Sequence, residues 1–137
     1  MTATDVCETG IQPTLDTAWW WEALERGELQ VPTCKTCTKR FFPPQPFCCH
    51  CGSKDWYGAP NRGTGTVYSW VVIHRAFAPD YADKVPYAIV AVDLDEGCRM
   101  IGRYLGDHQS LQDGLAVRFR MFRENNNALL GFEACST

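Results

Sequence analysis

Two Cys-x-x-Cys pairs, Cys34-Lys35-Thr36-Cys37 and Cys48-Cys49-His50-Cys51, constrain this chain more than any other feature, and ten residues separate them. Each pair closes a tight turn whose two thiolates point at one ion, and four thiolates complete a tetrahedron around zinc. That tetrahedron leaves no position for water, so the expected zinc is structural rather than catalytic. The spacer is shorter than the ~15–20 residues of a common zinc pattern, but it suits a two-knuckle ribbon. Its run Phe41-Phe42-Pro43-Pro44-Gln45-Pro46-Phe47 pairs three prolines that stiffen the backbone with three phenylalanines that offer an apolar docking surface. Cys49 and His50 compete for the ligand register. A Cys49-x-Cys51 bite is the rarer geometry, which selects Cys34, Cys37, Cys48 and Cys51. Cys7, Cys98 and Cys135 stand alone and read as small buried or terminal residues.

Composition narrows the partners. The chain has 137 residues, enough for one domain or for a small domain with a metal-held appendage. Acidic residues outnumber basic ones 16 to 13, for a formal charge of -3. The basic residues are scattered from Arg26 to Arg123 with no run longer than Lys39-Arg40. A phosphate-tracking surface needs clustered Lys and Arg, so nucleic acid is not the expected partner. No apolar run reaches the ~20 residues of a bilayer span, and the start MTATDVCETG lacks the basic and apolar regions of a signal peptide. Neither a membrane nor export is expected. In a reducing cytoplasm eight cysteines point to metal rather than to disulfides.

Three regions follow: an N-terminal segment over 1–31, a zinc ribbon over 32–57 and a barrel domain over 58–137. The first carries a helix from about Thr14, its expected N-cap, to Arg26, with Gly27 as the stop. Trp20, Ala23 and Leu24 share one face. Trp19, Trp20 and Trp21 cannot all do so, and at least one ring is expected to meet a partner subunit or another part of the chain. Beyond the ribbon, strands are expected over Gly63–His74, Tyr87–Leu94, Cys98–Leu105, Leu115–Arg123 and Leu129–Phe132. The Asp95-Glu96-Gly97 turn makes a hairpin of the second and third. Five strands without an intervening helix suggest a small closed barrel of the OB-fold kind, and Ala76 to Pro86 is a loop long enough to be functional.

The order of these words resembles a known family, domain of unknown function 35. The residues that carry the resemblance are Gly27-Glu28-Leu29, the two cysteine pairs, Phe42-Pro43-Pro44 and Gly63-x-Gly65-Thr66-Val67-Tyr68-Ser69. Val72-Ile73-His74-Arg75, Pro86-Tyr87 and Leu94-Asp95-Glu96-Gly97 complete the set, from about residue 17 to 133. The resemblance implies a mainly β chain: an N-terminal helix, a rubredoxin-like zinc ribbon and a C-terminal five-stranded OB-fold. It further implies a noncatalytic accessory subunit of thiolase-like proteins, two copies of each chain together, acting on acyl-CoA thioesters as thiolases, acyltransferases or steroid side-chain retro-aldolases. The double proline is often followed by Arg in the family, and Gln45 stands there in this chain. Arg40, Arg62, His74, Arg75 and Phe77 are then the candidates for contact with CoA or substrate. Trp19, Trp20, Trp21, Phe41 and Phe42 are the candidates for the partner interface. No catalytic residue is expected, since no paired carboxylates, phosphate cradle or dinucleotide fingerprint is present. The alternative is a free-standing OB-fold that stacks single-stranded nucleic acid on Tyr68, Trp70 and Phe77.

Overall fold

The computed structural model describes residues 13–124 and 126–135. One helix, α1 (Ala18–Glu25), precedes a two-stranded antiparallel hairpin of β1 (Gln30–Cys34) and β2 (Trp56–Pro60). A five-stranded barrel follows, built from β3 (Thr64–Ile73), β4 (Tyr87–Leu94), β5 (Arg99–Tyr104), β6 (Ala116–Glu124) and β7 (Asn127–Ala134). It closes in the order β3-β4-β5-β7-β6, the mainly β, OB-type architecture expected from sequence. Every contact in the barrel is antiparallel except β5 with β7, which run parallel through Arg103–Gly131 and Tyr104–Phe132.

Alternation explains the barrel. Along β4 the inward residues Ala88, Val90, Val92 and Leu94 are all buried, and the residues between them are half-buried. They meet Val67, Met100, Val117 and Phe132 in one apolar cluster. β3 needs Gly65 where it crosses β4, because a Cβ there would press into the Asp93 carbonyl oxygen. A bulge between Val67 and Ser69 then bends the strand.

Three boundaries differ from expectation. The helix starts at Ala18, not Thr14, because Leu15–Thr17 form a separate turn. That turn is closed by Thr14 N–H donating to Thr17 Oγ1 at 2.9 Å and by Ala18 N–H donating to the Thr14 carbonyl at 2.9 Å. The last strand runs from Asn127 to Ala134, longer than the four residues expected, because it pairs along the whole of β6 from Val117 to Glu124. The β1–β2 hairpin was not foreseen, since Pro32, Gly58 and Pro60 dilute its strand pattern. Cys7 lies outside the described residues.

The helix joins the two bodies. Trp20 and Leu24 are buried in the barrel's cluster, and the Trp20 indole N–H donates to the Gln30 carbonyl at 2.9 Å. Trp19 turns the other way and tilts against Trp56 of the hairpin at 5.7 Å. Trp21 meets the edge of Trp20 at 4.8 Å and is half-buried. The conflict among three successive tryptophans is resolved by packing on two sides, one towards the barrel and one towards the ribbon.

Candidate metal centre and its surroundings

β1 delivers Cys34 at its last position, and the turn after it returns Cys37. A second turn holds Cys48 to Cys51, closed by Gly52 N–H donating to the Cys48 carbonyl at 2.9 Å. Gly52 at φ 79° supplies the left-handed residue that this turn requires. The four sulfurs of Cys34, Cys37, Cys48 and Cys51 lie within 4.8 Å of one another. Thiolates 2.3 Å from a tetrahedral ion would stand ~3.8 Å apart, and the measured edges are 3.6 Å for Cys34–Cys51 and 3.7 Å for Cys37–Cys48. Those two edges match a tetrahedral thiolate site, and the donor set fits zinc.

Backbone amides surround the cage. Cys34 Sγ accepts from the N–H groups of Thr36 at 3.3 Å and Cys37 at 3.4 Å, and Cys48 Sγ from that of His50 at 3.3 Å. Such amides offset the charge of four thiolates and orient them towards an ion. The Cys37 N–H above all pulls the Cys34 thiol down to about 6, against burial. At Cys37 the Lys39 N–H also pulls down, but burial and the Cys48, Cys34 and Cys51 thiols outweigh it and raise the group to about 11.

Cys49 and His50 are placed outside the cage. Cys49 is exposed, and His50 Nε2 is committed to the Arg40 carbonyl at 2.9 Å. The buried cluster of the ribbon is Cys34, Phe41 and Cys48, with Cys37 and Trp56 packed against it. Trp56 stands edge-on to Phe41 at 5.8 Å, and its indole N–H donates to the Pro46 carbonyl at 3.0 Å. Sequence reading missed Trp56. The available signal was a lone Trp five residues past the last ligand, where a short ribbon needs a lid. Phe41 is 1% exposed, so its ring stabilises the ribbon itself. Phe42 is half-buried and tilts against Trp20 at 5.5 Å.

The five candidates for CoA or substrate contact separate into two groups. Arg40 and Arg62 flank the β4–β5 turn: Arg40 lies against Gly97, and Arg62 pairs with Glu96 at 3.8 Å. A cavity of about 400 Å³ lies here between knuckle and barrel, lined among others by Arg40, Phe42, Cys49 and Cys98. Arg40 Nε is buried at this junction without a hydrogen-bond partner. Burial pushes the Cys98 thiol up to about 11. His74, Arg75 and Phe77 stand beyond the opposite end of β3. Arg75 stacks over Phe77 at 5.3 Å, and His74 meets His108 edge-on at 6.4 Å. β3 and β4 run antiparallel, with Gly65 opposite Leu94 and Ile73 opposite Tyr87. The two groups thus occupy opposite ends of the same strand pair and form no single site.

The aromatic platform is partly covered. The Arg99 guanidinium lies 3.5 Å over the Tyr68 ring and is itself held by Asp93 through bonds of 2.6 and 3.1 Å. Among the described residues no histidine ring is hydrogen-bonded to a serine, cysteine or carboxylate side chain. None of those residues forms a helix long and apolar enough to cross a membrane.

Comparison with known proteins agrees with this architecture. Residues 21–56 match the ChsH2 rubredoxin-like zinc ribbon domain, and residues 60–122 match the ChsH2 C-terminal OB-fold domain. A probable enoyl-CoA hydratase alpha subunit of Thermomonospora curvata is 40% identical over 91 residues, which are 66% of this chain but 28% of that protein. The chain thus spans less than a third of that relative. A DUF35 domain-containing scaffold protein of Methanocaldococcus jannaschii is 33% identical over 112 residues, 79% of each chain. Among solved structures, a chain of the Ltp2-ChsH2(DUF35) aldolase superposes with a TM-score of 0.79 at 31% identity, covering 93% of this chain and 98% of that one. Ribbon, barrel and the order in which they follow one another place this chain in the DUF35 family, in its ChsH2-type form.

Proposed function

We propose that this chain is a noncatalytic, zinc-binding subunit of a heteromeric cytoplasmic enzyme that makes or cleaves carbon–carbon bonds in acyl-CoA thioesters. Its partner is a thiolase-like subunit, assembled as two copies of each chain. The observation that carries this reading is the near full-length likeness to the DUF35 chain of an aldolase assembly. The hydratase alpha subunit among its relatives adds a second acyl-CoA enzyme with more than one kind of subunit. The chemistry of the cage supports a structural ion, since four thiolates leave no position for water or substrate.

Zinc in this reading is held by Cys34, Cys37, Cys48 and Cys51, and it supplies a crosslink rather than a reactive centre. Arg40 and Arg62 at one end of the barrel, and His74, Arg75 and Phe77 at the other, are the positions to test for CoA contact. Calorimetry with CoA on the assembled complex separates the two ends by substitution. The decisive experiment is co-expression with a thiolase-like protein from the same organism, followed by light scattering and an acyl-CoA cleavage assay. A stable heteromer with activity that neither chain has alone is expected. A chain that stays monomeric and leaves that protein's activity unchanged would refute the reading.

A further inference from the structure

The outer face of the barrel carries an uncharged apolar surface that the zinc ribbon does not cover. Its centre is Ile101 on β5, 63% exposed, opposite Ala91 of β4, with Val71 of β3, 57% exposed, opposite Ile89. Ile101 lines two depressions at once. One, of about 150 Å³, lies over the β3–β4–β5 face. The other, of about 280 Å³, runs between α1 and the ribbon, past Trp21, Phe42 and Pro43. None of the residues lining either depression is ionisable.

Charges do flank this face, and its arginines are paired within the chain. Arg99 and Arg103 stand two residues to either side of Ile101. The first is paired to Asp93 at 2.6 Å and the second to Glu124 at 3.2 Å. Lys84 shares the Glu124 carboxylate at 3.6 Å, which leaves the rim slightly positive, but a phosphate or an anionic lipid surface meets no cation within the depressions themselves. An apolar centre with a polar, ion-paired rim is the anatomy of a protein interface. The backbone beside it argues for protein as well. β3 pairs with β6 only through Thr64–Thr66, so past the bulge its strand edge at Ser69–Ile73 has no second strand among the described residues. Such an edge offers donors and acceptors that another polypeptide can satisfy.

We infer that the β3–β4–β5 face around Ile101, continued into the groove between α1 and the ribbon, is the surface on which the thiolase-like partner subunit docks through an apolar, uncharged patch. The inference rests on the subunit reading above and adds the place of contact. It moves the centre of the interface from the tryptophans of α1 to the barrel wall, with Trp21 and Phe42 at its margin.

The test uses the full chain co-expressed with that thiolase-like subunit. Ile101→Arg and Val71→Glu each place a charge on the face at an exposed position, so far-UV circular dichroism and the thermal midpoint should match wild type. The presence of two variants on different strands guards against a folding defect in one. Each should weaken the heteromer about 30-fold or more, the scale of an interface hot spot. Tyr57→Arg, on the exposed side of the ribbon, should leave affinity unchanged. If the wild-type pair assembles and both barrel variants bind as tightly, the docking surface is elsewhere while the subunit reading stands. If the chain alone self-associates and Ile101→Arg abolishes only that self-association, the face belongs to a second copy and the inference fails. If the wild-type chains do not assemble at all, the subunit reading falls and takes this inference with it.

Discussion

Replacing Cys34 by serine tests the metal cage where the structure makes it least replaceable. Cys34 is 1% exposed and accepts two backbone N–H groups. A serine Oγ has a shorter reach and is un-ionised at neutral pH, so the ion loses a thiolate ligand even though the hydroxyl can still accept from the nearby amides. Structural zinc contributes about 10–16 kcal/mol of apparent binding free energy in small fingers. Shared over four thiolates this is about 3–4 kcal/mol each, or a loss of about 10²–10³ in affinity. The ribbon has a buried cluster of only three residues, whereas sixteen form the cluster of the barrel and helix. Unfolding should therefore be local. Competition with a chromophoric chelator gives the affinity, and the change in tryptophan fluorescence that a Trp56→Phe background removes, Trp56 standing edge-on to Phe41, reports order in the ribbon. Far-UV circular dichroism should keep its barrel signal. Cys49→Ser is the matched control, since Cys49 is exposed and outside the cage. Wild-type affinity in the Cys34→Ser protein, or an equal loss in Cys49→Ser, would show that the ligand set is wrong.

Three further outcomes follow from the barrel and helix. Gly65→Ala puts a methyl group against the Asp93 carbonyl, and the resulting overpacking should cost about 2–3 kcal/mol, read as a lower urea midpoint with unchanged slope. Trp20→Phe keeps an aromatic ring but strands the Gln30 carbonyl that its N–H serves, at about 1–2 kcal/mol in the same assay. Glu133 is held below its ordinary 4.5 by hydrogen bonds from Arg120 and Arg118, and Asp93 below 3.8 by that from Arg99. A carboxylate depressed in the folded state adds stability above its unfolded pKa and loses it as pH falls through the folded one. The difference in stability between wild type and Glu133→Gln should therefore be constant near neutral pH and shrink below about pH 4. A difference that grows on acidification would contradict this assignment.

The cysteine spacing pointed to the four sulfurs that converge in the fold, once the rarer Cys49-x-Cys51 bite was set aside, because two turns of fixed reach leave little freedom in where they meet. Alternation along Tyr87–Leu94 and 115–123 likewise gave the barrel strands, since a closed barrel buries every second residue wherever it stands in the chain. Local pattern failed where partners are distant. β1 and β2 form only because residues 34 and 56 are brought opposite each other once the knuckles close. Trp19 and Trp20 diverge because one meets Trp56 of the hairpin while the other is buried in the barrel's cluster, neighbours that only the tertiary fold supplies. Arg40, Arg62, His74, Arg75 and Phe77 look alike in sequence as scattered polar or aromatic residues. Antiparallel pairing of β3 with β4 carries them to opposite ends, a separation that follows from strand direction and that no motif encodes. The apolar face around Ile101 belongs to the same class. Its residues are far apart in sequence and meet on one wall only when three strands lie side by side, so tertiary structure alone assembled it.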